Sequence, residues 1–530
     1  MEETMIQDPK VMSAVSRIMQ RSERQTDTDK LINTYVDVGL LPQLNNNNHQ
    51  IFYGRRGTGK THVMKVLESS FGEKERTSIL YIDCRTLGST SQFSDREIPI
   101  GRRCIALFRD YLLLISGALL EYIIENPSDS AEEALKALDD FNTIVTDPIV
   151  TKFAKSVSEA EKVKQEREAN FSLSGKGGIE GLGVEGDIGG RLGDEKESTT
   201  HIEYSVENQD KIIFPDLHRA LKKVLELAKG QLVILIDEWS SLPSDVQPYL
   251  AEFIKKGILP ISEATVKISA LEYRCRFSEI VNGDLIGFEL GADIATAPDL
   301  DDYFVYDRNP DLIARTYANV LYKHMNAELE KDYLEKSHGV TCGETLMNSL
   351  FTGHETFVEL SRSCEGVVRD LINIFTKAFF DAQRRGRGSI DRASVLESAR
   401  QWFEQDKSQY LGDDLQNALR AMVDEVIGQK KARSFLLPRE LEKHPIVQRL
   451  FDARVIHHMQ RGYADKDNPG ARYNIYTIDY GTYVDLIGTS KQPQLDLLDE
   501  PVEVDIIVPF DDKRSIRRII LRQDILDRYA

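Results

Sequence analysis

The sequence predicts an α/β core, an all-helical region behind it, and a small helix-and-strand unit near the end. Three observations lead there. Gly54-Arg55-Arg56-Gly57-Thr58-Gly59-Lys60-Thr61 follows a short apolar run, Ile51-Phe52-Tyr53, and opens into Val63-Met64-Lys65-Val66-Leu67 at helical spacing. Strand, glycine-rich loop, Gly-Lys-Thr and helix form a phosphate-binding loop in its required context. The continuous apolar run Gln231-Leu232-Val233-Ile234-Leu235-Ile236-Asp237 reads as a strand buried on both faces, the centre of a parallel sheet. From residue 309 to 404 the pattern is purely helical.

The elements follow in order. Residues 1–49 form a helical lead-in, with Asp27 and Thr28 placed to cap a helix through Leu31, Ile32, Tyr35 and Val36. Asn45-Asn46-Asn47-Asn48 breaks it before the first strand. The core spans 50–308. It has a second strand at 78–83, a strongly apolar helix over 103–125, an amphipathic helix from Asp129 to Leu138, and a helix over 215–229. Beyond the central strand come a helix over 246–256 and a strand from Val266 to Leu271.

An insertion occupies about 150–205. Its part from 168 to 200 is dense in glycine yet alternates, with Leu182, Val184, Ile188 and Leu192 on one parity and Glu185, Asp187 and Arg191 on the other. That reads either as amphipathic strands in a β-hairpin or as a flexible insertion. A charged helix from Ser156 to Asn170 is its expected stalk. The helical region 309–404 is followed by a unit over 405–490. There the pattern gives helices at 413–427, 438–442 and 445–451, then strands at 454–459 and 472–478, with a loop from Gln460 to Ala471 carrying Arg461, Lys466 and Arg472. This is the order of a winged helix. A tail, 491–530, holds a strand-like Val502 to Val508 and a basic helix from Arg514 to Tyr529.

Each part of the loop has a chemical reason. Gly54, Gly57 and Gly59 let backbone N–H groups turn inward round an anion, and the helix starting near Lys60 points its positive end at it. Arg55, Arg56, Thr58 and His62 complete the cradle. Lys60 is expected to reach the β- and γ-phosphates, and the Thr61 hydroxyl to ligate Mg²⁺. Asp237 and Glu238 match the paired carboxylates of such sites, Asp237 holding Mg²⁺ and Glu238 orienting and deprotonating water. A surface turn after a strand is the other reading of this pair. Without a guanine-reading Asn-Lys-x-Asp motif, the expected nucleotide is ATP.

Cys364-Glu365-Gly366-Val367-Val368-Arg369-Asp370-Leu371 resembles the sensor-2 motif of AAA+ ATPases, which makes Arg369 a phosphate contact from a helical lid; the alternative is a solvated arginine with an acidic neighbour. Arg276, and after it Arg274, are candidates for an arginine finger given to a neighbouring copy, with surface salt bridges as the alternative. Ser269 and Glu272 are the candidates for the polar sensor on the strand before them.

Together, Gly54 to Thr61, Ile236-Asp237-Glu238-Trp239, Gly366 to Leu371 and the following unit resemble the origin-recognition-type initiator branch of AAA+ ATPases. More narrowly, they are similar to its bacterial members, often associated with mobile elements and phage defence. The resemblance covers roughly 28–485. It implies an α/β P-loop AAA+ core with a helical lid and a winged-helix domain, Mg²⁺-ATP as cofactor, a homo-oligomer formed through the nucleotide interface, and DNA engaged through 445–472.

Composition limits the partners. A net charge of −19 restricts any nucleic-acid contact to a local patch and keeps open a second reading, a scaffold ATPase that assembles a protein effector without DNA. Five scattered cysteines without a CxxC pair predict a reducing, cytoplasmic setting. No apolar run reaches membrane length, and the acidic start Met1-Glu2-Glu3-Thr4 lacks a secretory pattern.

Overall fold

A computed structural model describes residues 4–18, 25, 27–88, 95–146, 149–157, 201–209, 212–304, 309–429, 432–464, 470–490 and 519–529. The glycine-rich stretch 168–200 and the strand expected at 502–508 lie outside them.

Asp8 caps α1 (Pro9–Arg17), accepting from the Lys10 N–H at 2.8 Å. Asp27 caps α2 (Thr28–Thr34) the same way, through Lys30 at 3.0 Å. A single turn, α3 (Leu41–Leu44), and the asparagine run bring the chain into β1 (Gln50–Tyr53). The core continues with α4 (Lys60–Gly72), β2 (Thr77–Asp83), α5 (Ile100–Glu125) and α6 (Ala131–Thr146). Helix α6 runs past the expected Leu138 because Phe141 and Val145 continue its buried face.

Strand β3 (Ile149–Val157) pairs antiparallel with β4 (His201–Gln209) over their whole length, so the first two residues of the expected stalk, Ser156 and Val157, are strand, and the rest of it, 158–170, lies outside the described residues. Then follow α7 (Phe214–Ala228), β5 (Gln231–Asp237), α8 (Gln247–Gly257) and β6 (Ala264–Ala270). A hairpin of β7 (Ser278–Val281) and β8 (Asp284–Gly287) and the short β9 (Ala295–Thr296) close the core.

The central sheet is wholly parallel, in the order β2-β5-β6-β1-β9. Strand β5 alternates between two cores, Val233 and Leu235 facing α4 and the lid, Leu232, Ile234 and Ile236 facing the layer of α5 to α8. That two-sided burial is why it reads as a continuous apolar run.

The helical region contains α9 (Pro310–Asn326), α10 (Tyr333–His338), α11 (Gly343–Leu350), α12 (His354–Ser363), α13 (Val368–Arg384) and α14 (Arg392–Trp402). The lead-in packs on it: Asp8 accepts from Tyr333 at 2.8 Å and contacts His338 at 2.7 Å.

The last unit opens with α15 (Asp413–Val423), which widens into a π-turn over Asp424–Gln429. A strand not expected from the sequence, β10 (Ser434–Pro438), comes next. Its Phe435-Leu436-Leu437 is wholly buried, and a run this short has no telling period. The expected second helix is a 3-10 turn at Arg439–Lys443. Then come α16 (Pro445–Asp452), β11 (Ile456–Ala464), β12 (Arg472–Ile478) and α17 (Tyr480–Ser490), with the antiparallel order β10-β12-β11. In the tail, residues 514–518 of the helix expected over 514–529 lie outside the described residues; within 519–529 the helix is α18 (Gln523–Asp527), and Ile520 bridges to Leu436 instead. Among the described residues, no helix is long and apolar enough to cross a membrane.

Candidate nucleotide site

The order β5-β6-β1 sets the site. The loop leaves the carboxyl end of β1, Asp237 ends β5, and Ser269 lies on β6 between them. Carboxyl ends of parallel strands are where α/β sheets bind ligands. Gly57 and Gly59 take φ of +85° and +105°, turning the loop before α4 begins at Lys60.

The carboxylate of Asp237 is fully buried and converges four donors. Thr61 Oγ1 donates to its Oδ2 at 2.7 Å and Tyr81 Oη to the same oxygen at 2.8 Å. Ser269 Oγ and the Glu238 N–H, at 2.9 Å, reach Oδ1. Glu238 has φ +56°, so the chain leaves the strand through a left-handed residue. Lys60 Nζ donates to the Arg55 carbonyl at 3.1 Å, as Thr58 Oγ1 does at 2.8 Å. Burial pulls the Lys60 ammonium down, against the nearby Glu238 and Asp237 carboxylates.

Arg55 points away from the cradle. Asp301 accepts its backbone N–H and its Nε at 3.0 Å, Nη2 reaches the Glu365 carbonyl at 2.8 Å, and Nη1 meets His457 Nδ1. His62, in the first turn of α4, contacts the Leu31 carbonyl at 2.7 Å and the Tyr35 ring at 5.3 Å. Arg56 is held down by burial and by Arg274, against the pull of Glu238.

The lid touches the loop directly. The Arg369 N–H donates to the Gly57 carbonyl at 3.0 Å. Beside this contact lies a cleft of about 40 Å³, lined by Tyr35, Val38, Gly59, His62, Leu300, Phe304, His324 and Val368. Sequence reasoning named Gly59 and His62 but missed Tyr81, Asp301 and the rest of this wall; the signal for Tyr81 was its place one alternation before Asp83 on an edge strand.

The two finger candidates sit on a loop anchored by the buried Gln247, whose Oε1 accepts the Arg276 N–H at 2.6 Å and whose Nε2 donates to the Arg274 carbonyl at 3.3 Å. Arg276 pairs with Glu279 at 3.3 Å, and Arg274 pairs with Asp452 of the last unit. Arg461, expected in the loop of the wing, lies on β11 and pairs with Glu272 at 2.7 Å and Asp299 at 3.3 Å, with 49% of its side chain exposed.

A sequence profile of the family described as ORC-CDC6-like matches residues 21–286, just over half of the chain. The chain belongs to the ORC-CDC6-like family. Solved structures similar to this ORC-CDC6-like chain include the ORC2 protein of Aeropyrum pernix in its ADPNP-ADP complexes, 10% identical with a TM-score of 0.33, covering 91% of this chain and 97% of that one. Cdc6p of Pyrobaculum aerophilum is 10% identical with a TM-score of 0.29, covering 90% and 97%. The A. pernix ORC1 protein in complex with DNA is 14% identical with a TM-score of 0.26, covering 91% and 96%. No curated protein matches. The assignment rests on the sequence match, and the parallel sheet with its helical region is the ORC/Cdc6-like AAA+ fold.

Proposed function

We propose that this ORC-CDC6-like chain is an Mg²⁺-ATP-dependent AAA+ ATPase, working as an oligomerising nucleotide switch whose C-terminal unit, read as a winged helix, engages DNA. The observation that carries it is the convergence of Thr61 and Asp237, 2.7 Å apart, at the start of α4, with Glu238 next in the chain. A hydroxyl and a carboxylate at that spacing fit a hard, oxygen-liganded cation. Bound there, Mg²⁺ would neutralise charge on the β- and γ-phosphates.

The remaining work falls to side chains. Lys60 exchanges the Arg55 carbonyl for phosphate oxygens. Glu238 orients and deprotonates the attacking water, Ser269 holds Asp237 in register, and Arg369 brings the lid onto the phosphates. Arg276 or Arg274 would complete a neighbour's site. The scaffold reading keeps one support, the net charge of −19 with Arg461 paired to Glu272. Duplex affinity across a salt series separates the two, since a DNA-binding chain loses affinity steeply with salt.

The test of hydrolysis is a pair of variants assayed for ATP binding and turnover. Lys60→Ala weakens nucleotide binding, whereas Glu238→Gln keeps ATP bound and slows turnover by about 10²-fold or more. Normal turnover by Glu238→Gln removes Glu238 from its role.

A further inference from the structure

The Asp237 carboxylate is held on every side, and one of its four donors, Tyr81, has no part in the reading above. An ionised carboxylate offers about four lone-pair sites, two on each oxygen. At Asp237 all of them are taken. Ser269 Oγ and the Glu238 N–H hold Oδ1, while Thr61 Oγ1 at 2.7 Å and Tyr81 Oη at 2.8 Å share Oδ2. The residue is fully buried, so these bonds offset the cost of burying its polar oxygens.

Tyr81 reaches Oδ2 from the edge strand. Parallel pairing sets Asp83 of β2 beside Asp237 of β5 and leaves Tyr81 beside Leu235, one alternation lower on the same face. The phenol ring spans that step and brings its hydroxyl up to the carboxylate. The ring is itself held. Lys65 Nζ stands 3.5 Å from its centroid, and Lys65 pairs with Glu68 at 2.7 Å. Lys65 follows Thr61 by four residues and so lies on the same side of α4. One helix face therefore sets both groups that meet at Oδ2, Thr61 directly and Tyr81 through the cation over its ring.

The four donors are not equivalent. Thr61 cannot serve a cation while it donates to Oδ2. Once its hydroxyl turns to one, a single lone pair of Asp237 opens, on the side of Thr61. The other three donors belong to the sheet and its edge: Tyr81 on β2, Ser269 on β6 and the backbone that leaves β5. Mg²⁺ demands near-ideal octahedral geometry, whereas Ca²⁺ accepts more oxygens in looser shells. A carboxylate with one open, fixed lone pair suits the stricter ion.

We infer that Tyr81 is a positioning residue for the cation site: its hydroxyl locks Oδ2, so that Asp237 presents one lone pair, and thereby sets a preference for Mg²⁺ over Ca²⁺. The inference rests on the Mg²⁺-ATP reading above.

The test measures the affinity of the full chain for a slowly hydrolysed ATP analogue by calorimetry, in Mg²⁺, in Ca²⁺ and in chelator. Tyr81→Phe keeps the ring beside Lys65 and removes only the hydroxyl. Affinity in Mg²⁺ falls about tenfold, the scale for losing a group that orients a metal's ligand. Affinity in Ca²⁺ and in chelator stays at the parent value, so the preference for Mg²⁺ narrows by the same factor.

A loss of equal size in all three media makes Tyr81 a packing group and overturns the inference. A loss shared by Mg²⁺ and Ca²⁺ but absent in chelator overturns the preference. A parent chain that binds the analogue equally in Mg²⁺ and in chelator overturns the Mg²⁺-ATP reading, and the inference falls with it. A parent that prefers Mg²⁺ beside a Tyr81→Phe chain that prefers it equally overturns the inference alone.

Discussion

Glu272 sits where two demands meet. Burial pushes its carboxyl from 4.5 up to about 7, against the pull of Arg461 and with a push from Glu442. Asp299, on the other side of Arg461, is likewise raised by burial to about 7. Both folded values lie above the ordinary ones. Between about 4.5 and about 7 the folded chain therefore holds protons that the unfolded chain releases, and stability falls as pH rises through that window. Thermal midpoints at about pH 5 and about pH 7 should show that fall in the parent chain and a smaller one in Glu272→Gln. Equal falls in both would remove Glu272 as the source.

At the scale of elements, the joint between loop and lid depends on one glycine. A Cβ on Gly57 would stand 2.9 Å from Arg369 Cβ and 3.0 Å from Val367 Cγ1, at a φ of +85°. Gly59 also has a positive φ, but a Cβ there meets nothing within 4 Å. Backbone strain alone costs about 1–3 kcal/mol at either position. Gly57→Ala adds the displacement of α13, so it should lower the thermal midpoint of the nucleotide-free chain more than Gly59→Ala does. Matching midpoints would mean that the lid does not press on the loop.

At the scale of the whole molecule, a buried charge chain fastens lid, linker and C-terminal unit. Lys407 contacts Asp370 of α13 at 2.9 Å and Asp479, before α17, at 2.6 Å, with all three side chains buried. Arg454 joins Asp370 to Asp406, and His457 Nε2 meets Asp479 at 2.9 Å. Burial pulls His457 down to about 3, so the ring is neutral and can donate to Asp479 while accepting from Arg55. Breaking a buried pair by removing one partner costs about 3–5 kcal/mol, because it strands the opposite charge. Lys407→Met should lose stability on that scale in denaturant unfolding; a loss below about 1 kcal/mol would show that water fills the gap.

How much of this was legible follows from the range of each signal. The phosphate-binding loop, the buried β5 and the capped α2 are local: glycine freedom, apolar continuity and an aspartate before a helix act within a few residues. Those signals by themselves determined an α/β chain with a nucleotide loop and paired carboxylates 176 positions after Thr61. Sequence reasoning failed where partners are distant. Strand β10 and the ribbon of β3 and β4 exist through pairing, which no local period reports. Tyr81 enters the site only because parallel pairing of β2 with β5 sets Asp83 beside Asp237. The tertiary structure alone decided that Arg55 faces His457, that Arg461 turns to Glu272, and that Arg274 is held by Asp452. Charge says which groups can pair; only the packing of the C-terminal unit on the core selects which of them do.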